Sequence, residues 1–269
     1  MMREAYFTTS WDDGHPADLR VAEMLARHGL GGTFYVPRAI DTGVMSPAQV
    51  QQLSRGGFEI GAHTLNHVLL PTVGDDVARA EIDGSKKWVE DMTGAPCRMF
   101  CPPGGKLRAR HRPMIARSGF VGMRSVELIS VDPPRPHSAG VMEMPTTIQA
   151  FPHSRVAYAR NFARRAAARN LSLYLLHGLT YGGEWWRLAR RLIERAARVG
   201  GVFHLWGHSW ELEQTGQWDR LDEVLACMAD HVRAGVRSAS NGQICESARA
   251  AAPADPPPQL WSNAVGGVK

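Results

Sequence analysis

Thr8-Thr9-Ser10-Trp11-Asp12-Asp13-Gly14-His15-Pro16 closes an apolar run that begins at Tyr6 and leads into Pro16 to His28, where Val21, Met24 and Leu25 recur at three and four residues. An Asp-Gly pair more often marks a hairpin turn. Here the next element has a helical period, so both carboxylates lie on a strand-to-helix loop at the carboxyl end of a strand, where α/β folds place their sites. Two adjacent carboxylates in separate environments can take separate tasks, one on a metal and one as a base.

Outward from that loop, the same alternation continues. Strand-like runs are Tyr6 to Trp11, Gly32 to Val36, Phe58 to Ala62, Met99 to Cys101, Gly119 to Met123, Val141 to Pro145, Leu171 to His177 and Val202 to His208. Helical patterns fall between them at Pro16 to His28, Ser46 to Arg55, Val73 to Met92, Leu107 to Arg117, Ser154 to Ala168, Glu184 to Val199 and Trp218 to Val232. Ser46-Pro47 reads as an N-cap with proline at the first helical position, and His28-Gly29 as a glycine stop. The rhythm predicts βα units and a largely parallel sheet, and about seven such units fit one barrel-like domain. That domain is expected over residues 1–249; residues 250–269, Pro-rich and aperiodic, read as a flexible tail.

The 269 residues are 44% hydrophobic and 21% charged, which suits a globular domain that buries its core without staples. The start of the chain has no apolar secretory region, and no run approaches the roughly 18 to 20 apolar residues of a membrane helix. The expectation is therefore a cytoplasmic protein without a membrane span. Cys97, Cys101, Cys227 and Cys245 are too few and too irregular for a disulfide framework and read as reduced thiols. The net charge of +5 comes largely from Arg-rich segments at 160–169 and 187–198. These have the pattern of solvated helix faces and lack the aromatic or glycine pattern of a nucleic-acid module. An anionic substrate is compatible with them.

A second stretch, Phe58-Glu59-Ile60-Gly61-Ala62-His63-Thr64-Leu65-Asn66-His67, again ends an apolar strand. Two histidines four apart lie on one side of a helical turn, so both imidazoles can meet one cation if the chain turns after Ala62. One Asp and two His would leave coordination positions open for water and substrate, as in a catalytic metal site.

Thr-x-x-Asp-Asp-Gly followed some fifty residues later by His-Thr-x-x-His resembles, in order and spacing, the first two motifs of the polysaccharide deacetylase family, also called NodB-homology and carbohydrate esterase family 4-like. The resemblance implies Asp12 as general base, Asp13, His63 and His67 as metal ligands, and a distorted (β/α)7 barrel. It also implies a divalent metal, with zinc the default and cobalt or nickel tolerated. The family's third motif, Arg-Pro-Pro-Tyr-Gly, is similar to Cys101-Pro102-Pro103-Gly104-Gly105. Gly104 keeps the backbone N–H that serves the oxyanion, but Cys101 cannot supply the charge by which the family's Arg orients the base, so the orientation of Asp12 stays open.

The resemblance also calls for a late histidine as general acid. His208 is favoured, because a helix and a short strand-like run, Val236 to Ser240, follow it; His177 is the alternative. His204 lies on the same face, roughly 13 Å deeper at about 3.3 Å per residue, and reads as a satisfied core histidine. Glu211 is a candidate partner for His208. The fourth motif has only a distant echo at Asp132. The implied activity is hydrolysis of an N-acetyl group on an intracellular small-molecule or oligosaccharide substrate containing an amino sugar. Alternatives are hydrolysis of another non-peptide C–N bond, and an inactive carbohydrate-binding relative.

Overall fold

Strand β1 (Ala5–Trp11) is an interior strand of the sheet, and its alternate residues serve two different layers. Phe7 and Trp11 join the apolar layer beneath the helices, whereas Tyr6 packs inside the curl of the sheet, where Thr8 and Ser10 also find their partners. The computed structural model describes residues 4–41, 43–154 and 183–251, together with 156 and 175.

The remaining strands are β2 (Thr33–Val36), β3 (Glu59–Ala62), β4 (Met99–Phe100), β5 (Gly122–Arg124), β6 (Arg135–Pro136), β7 (Met142–Met144), β8 (Ile148–Gln149), β9 (Gly201–Gly207) and β10 (Arg237–Ser238). They form one sheet in the order β6-β7-β5-β4-β3-β2-β1-β9-β8, with β10 beside the start of β1. Every pairing is parallel except that of β6 with β7. The result is a single-domain α/β half-barrel, and among the described residues β6 and β8 are its edges. Eight described helices accompany it: α1 (Asp18–Arg27), α2 (Pro47–Arg55), α3 (Asp75–Thr93), α4 (His111–Arg117), α5 (Trp185–Val199), α6 (Ser209–Thr215), α7 (Trp218–Arg233) and α8 (Asn241–Ala251).

The predicted cap of α2 is present as a full capping box: the Ser46 hydroxyl accepts from Gln49 N–H, and the Gln49 side chain accepts from Ser46 N–H. Strand parity divides the core in two. Phe34, Ile60, Phe100, Met123 and Phe203 face the helices; Tyr35, Met99, Cys101, Met142, Met144 and Val202 fill the inside of the curl. Helix α8, which the sequence did not announce, contributes Ile244 and Cys245 to that inner cluster. Asn241, at its start, donates to the Tyr35 hydroxyl and accepts from Thr8, while Glu59 accepts from Gly242 N–H. Its opening Asn-Gly reads locally as a turn, and the helix runs to Ala251, past the expected boundary at 249. The short elements β6, β8 and α6 were also unannounced. The expected strand Leu171 to His177, except for residue 175, which is helical, and nearly all of the helix Ser154 to Ala168 lie outside the described residues, as does the tail from 252. Among the described residues no helix is long and apolar enough to cross a membrane.

Gly61 of β3 sits against the Tyr35 ring, where an added Cβ would lie 2.5 Å from Cδ1. Gly61→Ala should therefore destabilise the fold by about 1 to 3 kcal/mol through overpacking. Ser46→Ala, which removes one cap, should cost about 1 kcal/mol. Urea unfolding midpoints measure both.

Candidate metal and catalytic site

The carboxyl ends of β1, β3, β4, β5 and β9 bring the candidate residues together. Asp12 and Asp13 follow β1 directly, and Asp13 adopts a left-handed backbone conformation, φ +75°. Gly14 continues the turn at φ +61°, where a Cβ would stand 2.6 Å from Val36 Cγ1. This reversal points the two adjacent carboxylates at different partners, which an extended backbone would also do but on opposite faces of the sheet.

His63 and His67 converge on Asp13. Their Nε2 atoms lie 3.4 Å and 3.2 Å from Asp13 Oδ1. The convergence does not use the expected helical turn: residues 63–67 form an irregular bend in which Thr64 and His67 have φ of +53° and +55°. Helix α3 holds the bend through Glu81, whose carboxylate accepts from Asn66 N–H at 2.8 Å and Asn66 Nδ2 at 2.6 Å. From the other side, Arg38 N–H donates to the Leu65 carbonyl and its guanidinium to Asn66 Oδ1. His63 Nδ1 lies 2.7 Å from the Cys101 carbonyl, to which it donates, so Nε2 is the ring nitrogen turned toward Asp13.

One atom each of Asp13, His63 and His67 lies within 4.8 Å of the others, so the set fits a cation. Burial works to raise the Asp13 carboxyl, but hydrogen bonds from His63 and His67 and the charge of His208 outweigh it and hold the group well below the usual carboxylate range. Trp210 Nε1 donates to Asp13 Oδ2 at 3.0 Å and fixes the other oxygen. A second set, Asp12, His63 and Cys101, is equally close, but it does not suit a cation. The Arg124 guanidinium already contacts both the Asp12 carboxylate and Cys101 Sγ.

Asp12 is buried and held at one oxygen. Its Oδ2 accepts from Arg124 Nη2 and lies 3.8 Å from Cys101 Sγ, while Oδ1 has no hydrogen-bond partner. Burial pushes the Cys101 thiol well up, so it stays a neutral S–H. Arg124 went unnoticed in the sequence because the expected strand stopped at Met123; the signal was an Arg at the parity of the inward-facing Gly122.

His208, first residue after β9, reaches the same end of the sheet, its Nε2 3.9 Å from Asp13 Oδ2. Its Nδ1 donates to Glu211 Oε2 at 2.7 Å, and Glu211 also accepts from Gln149 Nε2 at 2.8 Å. Burial works to lower His208, and the Glu211 hydrogen bond with the charges of Asp12, Glu211 and Asp13 overcomes it, pushing the pKa up to about 8. His204 is the satisfied core histidine expected, between Ser10 Oγ and the Pro145 carbonyl, each at 2.8 Å. His177, the alternative acid, lies outside the described residues. Gly104 stands exposed in the tight turn Pro103–Gly105 after β4, with φ +60°. Asp132 is remote: it lines a cavity at the opposite end of the sheet with Glu4, Gly201 and Val202.

Residues 2–123, which include both motif regions, match the polysaccharide deacetylase family model. Two relatives are 30% identical to the chain: chitin deacetylase 1 of Cryptococcus neoformans over 113 residues, and the peptidoglycan-N-acetylglucosamine deacetylase of Bacillus cereus over 107. The alignments cover 41% and 39% of this chain, but only 23% and 48% of those proteins, so the chain spans less than half the length of either. In structure, a crystallised protein of Mycobacterium smegmatis assigned as a polysaccharide deacetylase superposes with a TM-score of 0.68 at 18% identity, covering 93% of this chain and 92% of the other. It shares the fold.

Zinc titration of metal-free protein should give about one tight site, lost in His63→Ala and in Asp13→Ala and kept in Asp12→Asn. Trp210→Phe, which removes the hydrogen bond to Asp13 and part of the ring packed against His208, should weaken zinc binding by about 10-fold.

Proposed function

We propose that this chain, whose residues 2–123 match the polysaccharide deacetylases, is a metal-dependent hydrolase that removes an N-acetyl group from an amino-sugar-containing substrate in the cytoplasm. The observation that carries the reading is the pairing of a three-residue cation set with a second carboxylate, Asp12, that has one oxygen fixed and one free. The four free cysteines, three of them buried, suit a reducing compartment.

Asp13, His63 and His67 would hold a divalent metal, with zinc favoured by the donor set and cobalt or nickel compatible, and when bound it would supply Lewis acidity for the carbonyl and the attacking water. Asp12 takes the proton from the attacking water at Oδ1, the oxygen that is buried without a hydrogen-bond partner. The Gly104 N–H, on a turn exposed at the same end of the sheet, donates to the carbonyl oxygen as it gains charge. His208, charged at neutral pH, gives its Nε2 proton to the departing nitrogen, and Glu211 on Nδ1 holds the ring and stabilises its charged form. An inactive carbohydrate-binding relative would have no need of a cation at the base, and although position 101 is not Arg, the Arg124 guanidinium stands against Asp12.

Acetate release from N-acetylglucosamine oligomers tests the reading. Wild type with zinc should turn over, and Asp12→Asn should lose about 100-fold or more in kcat while keeping its zinc. Zinc-loaded wild type that releases no acyl group from any amino sugar would overturn the deacetylase assignment. Because the acid must be protonated, kcat should fall as pH rises through about 8. Glu211→Gln removes a group that holds the His208 pKa up, so its alkaline limb should move to lower pH. An unmoved limb would remove His208 as the acid.

A further inference from the structure

Position 101 directly follows β4 and position 124 ends β5. Their strands pair with Met99 opposite Gly122 and Phe100 opposite Met123, so the next rung sets Cys101 beside Arg124. Parallel neighbours are about 4.8 Å apart, a gap that an Arg side chain spans easily. Its Nη2 reaches past Cys101 Sγ, at 2.8 Å, to Asp12 Oδ2. We propose that Arg124 is the positioning residue for the Asp12 base, its guanidinium entering one strand to the side of position 101, with Cys101 kept small and neutral to let it through. The inference rests on the hydrolase reading above.

Three observations favour a positioning role over mere packing. Arg124 is fully buried, and its Nε and Nη1 have no hydrogen-bond partner, an arrangement that stability alone would replace with an apolar side chain. Its plane is held by aromatic faces, with Cζ 4.7 Å from the Trp206 ring centre and 5.5 Å from that of Tyr35, so the cation cannot swing away from Asp12. It engages only Oδ2, which turns the unpartnered Oδ1 into the oxygen available for a proton. Position 101 and position 124 are then alternatives: one cation fits between them, whereas two would repel in a buried space.

The test uses the zinc-loaded full chain, N-acetylglucosamine oligomers and melting temperature. Arg124→Met should keep its zinc and lose about 100-fold in kcat with KM changed less than about three-fold. Cys101→Arg in that background should recover at least about ten-fold, whereas Cys101→Arg alone should impair the enzyme. Arg124→Met with wild-type kcat, or a folded, zinc-loaded transposed variant no better than Arg124→Met, overturns the assignment. Melting temperature supplies a readout independent of the substrate. Asp12→Asn should lower it by leaving the guanidinium unpaired, and adding Arg124→Met should raise it again. Additive losses overturn the pairing and the proposal with it. Coupled losses in a wild type that releases no acetate uphold the pairing and count against the deacetylase reading alone.

Discussion

Two full charges, Asp12 and Arg124, lie out of water at the carboxyl end of the sheet's curl, and neither is tolerable there without the other. Removing one partner of such a pair costs about 3 to 5 kcal/mol, because the remaining charge has no solvent to meet it. That demand organises the inside of the half-barrel. The guanidinium is sandwiched toward Tyr35 and Trp206, the Tyr35 hydroxyl is met by Asn241, and Asn241 in turn by Thr8. On the β1–β9 side Ser10 and His204 satisfy one another. A wall of polar contacts thus runs along the inner face of β1, whose outer-facing Phe7 and Trp11 sit in an apolar layer.

Rigid support for the charges comes from backbone conformations that ordinary residues avoid. Asp13, Thr64 and His67 all have positive φ, and each is bound on both sides: Asp13 by Trp210 and the two imidazoles, the His63–His67 bend by Glu81 of α3 and by Arg38. Strain of this kind persists only where surrounding contacts over-determine it, and it concentrates where side chains must be aimed. Helix α6, which begins right after His208, brings Trp210 and Glu211 back over the same end of the sheet, so one short element serves both a candidate ligand and the candidate acid.

Much of this was readable from residue order. Strand and helix alternation, the capped start of α2, the placement of Asp12-Asp13 and His63-x-x-x-His67 at strand ends, and the inward parity of His204 and His208 are local properties, carried by hydrophobic period and turn chemistry. What failed locally failed for identifiable reasons. The His63–His67 segment was expected as a helical turn, because spacing alone cannot reveal an αL bend imposed by Glu81 from another element. Helix α8 was hidden by an Asn-Gly start whose partners, Glu59, Thr8 and Tyr35, lie on three other strands.

The sequence by itself determined the class of fold and four of the groups at its centre, because strand parity and loop position are fixed by residues near one another in the chain. Only the tertiary structure decided where the missing cation at Cys101 is found and what holds Glu211 in place beside His208. Arg124 and Asp12 are joined through strand order, β5 beside β4 and β4 beside β3, and by a register that aligns positions 101 and 124. Gln149 reaches Glu211 through the pairing of β8 with β9. Contacts of that kind depend on which strands lie side by side, a property of the assembled sheet that no window of sequence contains.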